Sequence, residues 1–491
     1  MLRGKPQMVK TGDVMVSKLF SLMIVIALFL CSMSAFGDEP AGKTWQGDWE
    51  SLDSRPVPEW WRDAKFGIFI HWGLYSVPAW CDGWYAEWYY NLMQDKPACG
   101  SKTMIGHHKN TWGKDFKYPQ FAPMFKAQKY NPNAWAKLFN DAGAGYVILT
   151  SKHHDGFCLW DAPDSKGWNA VDVGPKKDLI DPLAKAVRAE GLKFGLYYSM
   201  MEWDHGDNLP GNKYPRNSDQ YVSQHALPQL KDLVTKYKPS IMWPDGEWDK
   251  PSSYWRSEEF LAWYANNAAN KEEVVWNDRW GKETRGRHGS FYTTEYGKDG
   301  KEGGSHSWEE SRGIGGSYGY NSWYEDKDER YPSSQELLDV FVNVLSRGGN
   351  FLLNIGPKAD GTIIDVFQNR LRDFGRFLKA NGEGVYGSSL PFKSEQGDNI
   401  KFTLNKKNNT IYAFVKNKPD NSINFNGVFA RKGEDVVLLA DPKGTPLAWS
   451  NQGGNLTIKG IDKVSRHGEF YWVFKIPGGF NADTNKIANT K

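Results

Sequence analysis

Polar side chains directly follow five of the short apolar runs in this sequence. These positions are His71 after FGIFI, His153, His154 and Asp155 after VILTSK, Asp245 after IMWP, Asp278 and Arg279 after VVWN, and Glu295 after FYTT. If the runs are parallel strands of one barrel, their carboxyl ends meet at a single face, which carries the catalytic groups of (β/α) barrels. The sequence therefore predicts one site built from segments far apart in the chain.

Two carboxyl groups are required to cleave a glycosidic bond, one to attack or to activate water and one to protonate the leaving oxygen. Asp245 is the better nucleophile candidate, because it follows a strand directly and Gly246 lets the backbone turn tightly beside a substrate. Glu295 is a candidate acid. The alternatives are an ordinary Asp-Gly turn and a solvated loop glutamate. The chain also contains 23 Trp, and aromatic faces pack on the C–H face of a sugar ring.

The histidines at these strand ends have two interpretations. Past the end of a strand, His153 and His154 can both enter a site and hydrogen-bond to a substrate. Together with His71 and Asp155 they could instead bind a metal ion and form a hydrolase of another class. Their spacing matches no standard ligand set, and neither CxxC nor HExxH occurs in the sequence. We therefore expect no metal and no organic cofactor.

The segments that must position these residues alternate between short apolar runs and helical patterns from about residue 60 to 385, as in a parallel sheet with crossover helices. The predicted strands are 66–70, 146–150, 194–198, 241–243, 274–276, 291–293 and 351–353. Helix signals between them include Asn133 before an amphipathic run, Asp181-Pro182 before a run that stops at Gly191, and a capping box at Ser333 and Glu336. The pattern favours an α/β fold with a (β/α)8-like TIM barrel.

Strand patterns separated by Gly, Asn, Asp and Lys turns dominate after residue 390. They lie at 401–404, 410–415, 436–439, 455–458 and 470–476, and they predict a C-terminal antiparallel β-sandwich. The predicted organisation is a signal peptide at 1–37, a catalytic barrel domain at 38–390, the sandwich domain at 391–478 and a polar tail at 479–491.

Residues 1–37 have the features of a secretory signal peptide. Lys18 precedes an apolar run at 19–30, and Ala35-Phe36-Gly37 offers small residues for cleavage before Asp38. The alternative is an uncleaved N-terminal anchor, although the run is short for a bilayer span. Cleavage predicts an exported protein without a membrane span, in a periplasmic, extracellular or lysosome-like compartment. Such a compartment permits disulfides, so that Cys81 and Cys99 could pair.

The formal net charge of +3 arises from the first 37 residues, which carry four basic side chains and one acidic one. The remaining chain is neutral and has no basic tract. Because binding to a phosphate backbone depends on clustered Lys and Arg, nucleic acid is not an expected partner. A chain of 491 residues with 40% hydrophobic residues is globular rather than disordered.

Seven segments form a distinctive set: WWRDAKFGIFIHWGLYSVPAW, EWYYNLM, SKHHDGFCLWDAP, IMWPDGEW, NDRWG, SWEESRGIGGSYGYN and SRGGNFLLNIGPKADG. Together they resemble glycoside hydrolase family 29, the alpha-L-fucosidases, from about residue 60 to 387. The predicted sandwich agrees in type with the family's C-terminal domain. The resemblance implies a retaining double displacement in which Asp245 is the nucleophile.

The resemblance also implies a set of fucose-binding residues, namely His71, Glu87, His153, His154, Tyr198, Trp243, Arg279 and Tyr318. In the YYS segment we choose Tyr198 rather than Tyr197. Tyr318 corresponds to an aromatic residue near the methyl group of the sugar. The implied acid/base is Glu295 of YTTEYG, and the alternative is Glu309 of the later WE segment.

These observations predict an exo-acting alpha-L-fucosidase that hydrolyses terminal fucose from oligosaccharides or glycoconjugates, with fucosylated glycans as its partners. One alternative is a fucose-binding barrel without turnover. Another is a metal-dependent hydrolase that uses His71, His153 and Asp155. The linkage cleaved, the oligomeric state and sugar binding by the sandwich have no readable motif.

Overall fold

The predicted barrel strands form one eight-stranded parallel sheet. In the computed structural model the strands are β1 Phe66–Ile70, β2 Tyr146–Lys152, β3 Lys193–Ser199, β4 Ile241–Asp245, β5 Val275–Trp276, β6 Tyr292–Glu295, β7 Trp308–Gly313 and β8 Asn350–Ile355. Their order is β5-β4-β3-β2-β1-β8-β7-β6, which places β1 beside β8. A backbone hydrogen bond of 3.0 Å from Ser290 N to Trp276 O links the segment before β6 to β5. The predicted TIM-type barrel is confirmed.

The structure describes residues 43–94, 101–203, 214, 218–297, 306–465 and 470–480. From Gln46 onward the chain belongs to one compact unit. The predicted signal peptide at 1–37, Cys99 and residues 481–491 of the predicted tail lie outside the described residues, whereas Cys81 is buried. Within the described ranges, no helix is long and apolar enough to cross a membrane.

Helices connect the strands and begin close to the predicted signals. They comprise Trp49–Asp53, Glu59–Ala64, Tyr89–Leu92, Ser101–Trp112, Pro132–Asp141, Ile180–Ala189, Asp219–Tyr221, Leu227–Tyr237, Ser252–Trp255, Ser257–Asn267, Ser334–Ser346 and Asp365–Asn381. The capping box at Ser333 and Glu336 is confirmed. Asn131, rather than Asn133, caps its helix, because its side chain accepts a 3.1 Å hydrogen bond from Ala134 N.

Strand β7 was not predicted, because its sequence WEESRG lacks an apolar run. Its polar residues Glu309, Glu310 and Ser311 are nevertheless buried. Glu309 on β7 accepts hydrogen bonds from Tyr146 on β2 and Trp243 on β4, which lie across the barrel interior. Buried polar groups are tolerated when they are hydrogen-bonded, and only the closed barrel brings these partners together.

Two antiparallel sheets follow the barrel and confirm the predicted sandwich. Their strands are β9 Glu395–Gln396, β10 Ile400–Asn405, β11 Thr410–Val415, β12 Ser422–Asn426, β13 Val428–Ala430, β14 Val437–Leu438, β15 Ala448–Gln452, β16 Asn455–Lys459 and β17 Trp472–Phe480. The larger sheet has the order β13-β17-β11-β10-β9, with β14 also on β17, and the smaller one has the order β12-β16-β15. Phe402 and Phe474 of the larger sheet pack against Phe425 of the smaller one. Strand β17 continues past Gly478 to Phe480, so the predicted start of the tail at 479 is wrong.

A buried ion network lies behind β2 and β3. Lys152, whose side chain is fully buried, contacts Glu202 at 2.5 Å and the Tyr198 hydroxyl at 3.0 Å. His225 also belongs to this network, because its Nε2 lies 2.8 Å from Glu202 Oε1. Charges in an apolar interior are stable only when they are paired, so this network holds the end of β2 in place.

We expect Glu202→Ala to reduce the free energy of unfolding by about 3–5 kcal/mol, because it leaves the Lys152 ammonium buried without a carboxylate. The measurement is urea unfolding followed by circular dichroism. Lys137→Ala is the control, because it removes a pair with Asp141 whose side chains are 66% and 53% exposed, and such pairs contribute about 1 kcal/mol or less. Equal losses in the two variants would contradict the proposed importance of the buried network.

Candidate active site

A single cavity at the carboxyl ends of the barrel strands gathers most of the predicted site residues. It is lined by Phe69, His71, Tyr85, Glu87, Trp88, His153, His154, Tyr197, Trp243, Asp245, Trp248, Arg279, Arg285, Glu295, Ser311 and Tyr318. Every strand except β8 contributes a residue from its own span or from the loop that follows it. The convergence of distant segments follows from the parallel sheet, because its carboxyl ends share one face.

Asp245 is the last residue of β4 and is the most heavily contacted carboxylate of the cavity. Its Oδ1 is 3.0 Å from Arg279 Nη1 and 3.5 Å from Arg285 Nη2. The Tyr197 hydroxyl donates to Oδ2 at 3.2 Å, and His154 Nε2 lies 3.6 Å away. Burial favours the neutral acid, but the charges of Arg279, His154 and Arg285 outweigh it and lower the pKa of Asp245 to about 2.

Glu295 ends β6 and faces the same arginine. Its Oε1 lies 2.6 Å from Arg279 Nη1, the nitrogen that also contacts Asp245. The sum of the two nitrogen–oxygen distances is the upper limit for the separation of the two carboxylate oxygens. This limit admits the ~5 to 5.5 Å between the carboxyl groups of retaining glycosidases and lies below the ~6.5 to 9.5 Å of inverting ones. The Glu295 side chain is 31% exposed and that of Asp245 is 13% exposed, so Glu295 lies on the more open side.

Arg279 is held rigidly between these carboxylates. Its Nε donates to Thr293 Oγ1 at 2.8 Å, and Thr293 in turn donates to Asp278 at 2.7 Å. The guanidinium group lies 4.4 Å from the ring centre of Trp243. A planar guanidinium favours such stacking together with directed hydrogen bonds, so the cation has one well-defined position.

An irregularity in β2 accompanies the entry of two adjacent histidines into the cavity. The β2–β3 register pairs Thr150 with Tyr197 but Lys152 with Tyr198, which leaves one extra residue in β2. Such a bulge re-aims the side chains that follow it. His153 and His154 both line the cavity as a result.

The hydrogen-bond partners define how the histidines face a ligand. His71 Nδ1 lies 2.7 Å from Asn354 Oδ1, and the Asn354 amide donates to Tyr318 O, so His71 Nδ1 is the donor. Burial lowers the pKa of His71 to about 3, which leaves Nε2 as an acceptor nitrogen. His154 Nδ1 lies 2.6 Å from Ser199 Oγ, whose own hydroxyl donates to Met201 O.

His153 offers a further polar atom. Its Nδ1 is buried and has no hydrogen-bond partner among the described residues, and burial lowers its pKa well below the usual range. A neutral ring with one unused nitrogen is suited to a ligand hydroxyl group, because a buried polar atom without a partner is costly.

Glu87 also lines the cavity and is nearly fully buried. Its carboxylate accepts hydrogen bonds from Gly319 N at 2.8 Å, Ser317 Oγ at 3.0 Å and Tyr318 N at 3.4 Å. Burial outweighs these hydrogen bonds and raises the pKa of Glu87 to about 7. Glu87 and Tyr318 are therefore fixed relative to each other before any ligand enters.

Tyr198 does not reach the cavity, and its predicted position there is wrong. Neighbouring residues of a strand point to opposite faces. Tyr197 points inward to Asp245, whereas the Tyr198 hydroxyl points outward and donates to Gln229 Oε1 at 2.9 Å. The predicted position therefore belongs to Tyr197.

Glu309, the alternative acid/base, lies outside the cavity lining. It is fully buried, and its two oxygens accept hydrogen bonds from the Tyr146 hydroxyl and, at 2.9 Å, from Trp243 Nε1. Burial raises the pKa of Glu309 to about 7. This hydrogen bond to Glu309 holds the Trp243 ring, which stacks on Arg279.

Asp155 also points away from the cavity, because it accepts hydrogen bonds from Tyr118 and from Phe157 N. The metal site proposed for His71, His153 and Asp155 therefore does not assemble. Among the described residues, no group of three or more His, Cys, Asp and Glu could hold a metal ion.

Several lining residues were not predicted. Trp88 and Trp248 directly follow Glu87 and Glu247 in segments that were singled out, so their position beside other site residues was an available signal. Arg285 had none. It reaches the cavity from the loop after β5, where its Nε also binds Glu247 at 2.7 Å.

Comparison with known proteins agrees with this geometry. The family model described as Alpha-L-fucosidase matches residues 32–383. The alpha-L-fucosidase of Dictyostelium discoideum is 39% identical over 442 residues, covering 90% of this chain and 92% of its own. The human tissue alpha-L-fucosidase is 36% identical over 462 residues, covering 93% and 97%.

A solved structure is similar over the same span. The crystal structure of Thermotoga maritima alpha-fucosidase superposes with a TM-score of 0.75 at 36% identity, and the match covers 88% of this chain and 100% of that one. The barrel, the sandwich and the carboxylate pair thus occur in a chain similar along nearly its whole length to these enzymes. This protein belongs to the alpha-L-fucosidase family and is a glycoside hydrolase.

Proposed function

We propose that this enzyme removes terminal alpha-L-fucose from glycans by a retaining double displacement. Asp245 is the nucleophile and Glu295 is the acid/base. The observation that carries the proposal is the single nitrogen, Arg279 Nη1, that contacts both carboxylates. This contact keeps the two carboxyl groups close together, as a mechanism requires in which one attacks the sugar while the other protonates the leaving oxygen.

In the first step Asp245 attacks the anomeric carbon. The bond between that carbon and the glycosidic oxygen breaks, and Glu295 gives its proton to the departing oxygen. The product is a covalent fucosyl ester of Asp245. In the second step Glu295 takes a proton from water, whose oxygen attacks the same carbon and releases Asp245, so that two inversions retain the configuration.

One cation between two carboxylates suits this exchange of roles. Asp245 is ionised above about pH 2 because of its lowered pKa, so it is ready to attack at neutral pH. When Asp245 becomes an ester and loses its charge, Glu295 has lost its proton and takes over the ion pair with Arg279. A positive charge that is already in place stabilises both states without reorganisation.

The fucose-binding residues proposed are His71, Glu87, His153, His154, Tyr197, Trp243, Arg279 and Tyr318. Their support is that all of them line the cavity. Acceptor nitrogens, buried carboxylates and donors fixed by neighbouring hydrogen bonds favour a sugar with matching hydroxyl positions, because a mismatch leaves buried groups unpaired.

We also propose export after cleavage of residues 1–37. The support is the sequence itself, in which Lys18, the apolar run at 19–30 and Ala35-Phe36-Gly37 have the order of a signal peptide.

Wild-type enzyme is expected to hydrolyse 4-nitrophenyl α-L-fucopyranoside in the presence of EDTA, and Asp245→Gly is expected to be at least about 10³-fold slower, as for other nucleophile removals. Azide should restore turnover in the variant and give the inverted fucosyl azide, identified by NMR. Wild-type binding of fucose without turnover of any fucoside would instead support the binding-only barrel. Loss of activity in EDTA would contradict the metal-free mechanism.

The acid/base assignment predicts opposite responses in two glutamate variants. Glu295→Ala should lose the alkaline limb of the pH–rate profile and, with azide and an activated aryl fucoside, give fucosyl azide of retained configuration. Glu309→Gln should lower the rate but keep the shape of the pH profile, without azide rescue, because Glu309 acts through Trp243. Azide rescue of Glu309→Gln alone would transfer the assignment to Glu309.

The inward position of Tyr197 predicts a difference between two conservative variants. Tyr197→Phe removes the hydroxyl that donates to Asp245, and we expect about a 10-fold or larger decrease in kcat/KM, as for a hydrogen bond to a charged group. Tyr198→Phe is the matched control, with kcat/KM unchanged within about twofold. The reverse pattern in steady-state kinetics would contradict the placement of the two tyrosines.

A further inference from the structure

We propose that Trp84 and Tyr85 form a stacking platform for the sugar to which the fucose is attached. The inference rests on the proposed function, because it assigns the binding place of the leaving group in that reaction. The ligand class is a hexopyranose with one flat C–H face, joined to fucose through the bond that is cleaved.

The platform is an aromatic surface at the mouth of the cavity. The rings of Trp84 and Tyr85 stack at 5.0 Å between centroids and 11° between planes. Tyr85 lines the cavity, whereas Trp84 does not, although it contacts both Tyr85 and Trp88, which do. Trp84 therefore lies at the rim, and its half-buried indole continues the wall of the cavity outward.

The platform lies on the side from which the leaving group departs. Glu295, which protonates the glycosidic oxygen in the proposed mechanism, is the more exposed of the two carboxylates. Tyr85 and Glu295 line the same cavity, and the Tyr85 ring packs on Tyr318 at 5.9 Å between centroids, while Tyr318 packs at 6.0 Å on Tyr296, the residue after Glu295. Tyr85 is therefore an aromatic part of the cavity wall near Glu295, with Trp84 stacked beside it, and the proposal places the leaving sugar against this pair.

The loop that carries Trp84 is fixed in advance. The buried side chain of Asn321 donates to Cys81 O at 2.8 Å and to Trp84 O at 3.0 Å, and it accepts from Cys81 N at 3.0 Å. Beyond the two rings, Ala86 N donates to Ser317 Oγ at 3.0 Å. A half-exposed indole on a loop clamped at both ends loses little conformational entropy on binding, which favours stacking with a sugar face.

The test compares substrates with and without a sugar leaving group. α-L-Fucosyl fluoride has none, so it reports on the fucose pocket alone. The second substrate is the best-cleaved member of a panel in which fucose is linked 1→2, 1→3, 1→4 or 1→6 to galactose or N-acetylglucosamine. Aryl fucosides are unsuitable, because an aryl ring can itself stack on Trp84.

For Trp84→Ala we expect kcat/KM on the oligosaccharide to fall roughly 3- to 10-fold, the range for one aromatic contact, with kcat/KM on the fluoride unchanged. Trp84→Phe should retain most of the activity on the oligosaccharide. Trp263→Ala is the matched control, since it removes another half-buried indole from the helix Ser257–Asn267, and neither substrate should be affected.

Equal changes of kcat/KM on both substrates in Trp84→Ala, including no change on either, would overturn the platform. Cleavage of the fluoride by wild type without cleavage of any panel member would also overturn it. Failure of wild type to cleave the fluoride would instead overturn the proposed function, so the two failures are distinguishable.

Discussion

The contact of Arg279 Nη1 with both Asp245 and Glu295 is the interaction on which the site depends. Two carboxylates this close repel each other, and a buried guanidinium is costly unless it is paired. The guanidinium offsets the repulsion between the carboxylates, and the carboxylates pair the buried guanidinium, provided that the arginine side chain keeps its position. Thr293 fixes its Nε, and Trp243 stacks on its plane. Glu309 from β7 in turn fixes the Trp243 indole. Side chains from β4, β6 and β7 therefore together fix the position of Arg279 Nη1.

Three further polar residues of the cavity follow the same rule, in that each is fixed by a partner outside the cavity. His71 is held by Asn354, His154 by Ser199, and Glu87 by Ser317 and the backbone after it. Burial keeps His71 neutral and favours the protonated form of Glu87, whereas Asp245 is kept ionised by nearby cations. Burial and nearby cations thus favour different protonation states within one cavity.

Two sets of tryptophans have different roles. Trp61, Trp72, Trp276 and Trp280 are fully buried and fill the barrel and its helical layer. Trp84, Trp88 and Trp248 are half-buried around the mouth of the cavity, and Trp88 stacks on Trp248. Large rings at the rim retain apolar area for a ligand without a large entropic loss, because the backbone beneath them is fixed.

The order of strands and helices, the sandwich and the gathering of most site residues could be predicted from the sequence, because apolar periodicity and residues at strand ends are local signals. Asp245 and Glu295 follow recognisable strands, so their convergence required only the assumption of a parallel barrel. The family-level resemblance carried the chemistry further, to fucose.

Only the tertiary structure decided the direction in which each side chain points and the groups that it contacts. Tyr197 and Tyr198 are adjacent residues of the same type, and only the register of β3 directs Tyr197 toward Asp245. Strand β7 has no apolar pattern, and Glu309 is buried only because β2 and β4 supply donors across the barrel. Sequence determines local propensity and spacing. Facing, burial and the pKa of a carboxylate depend on neighbours distant in the chain, and these exist only once the barrel has closed.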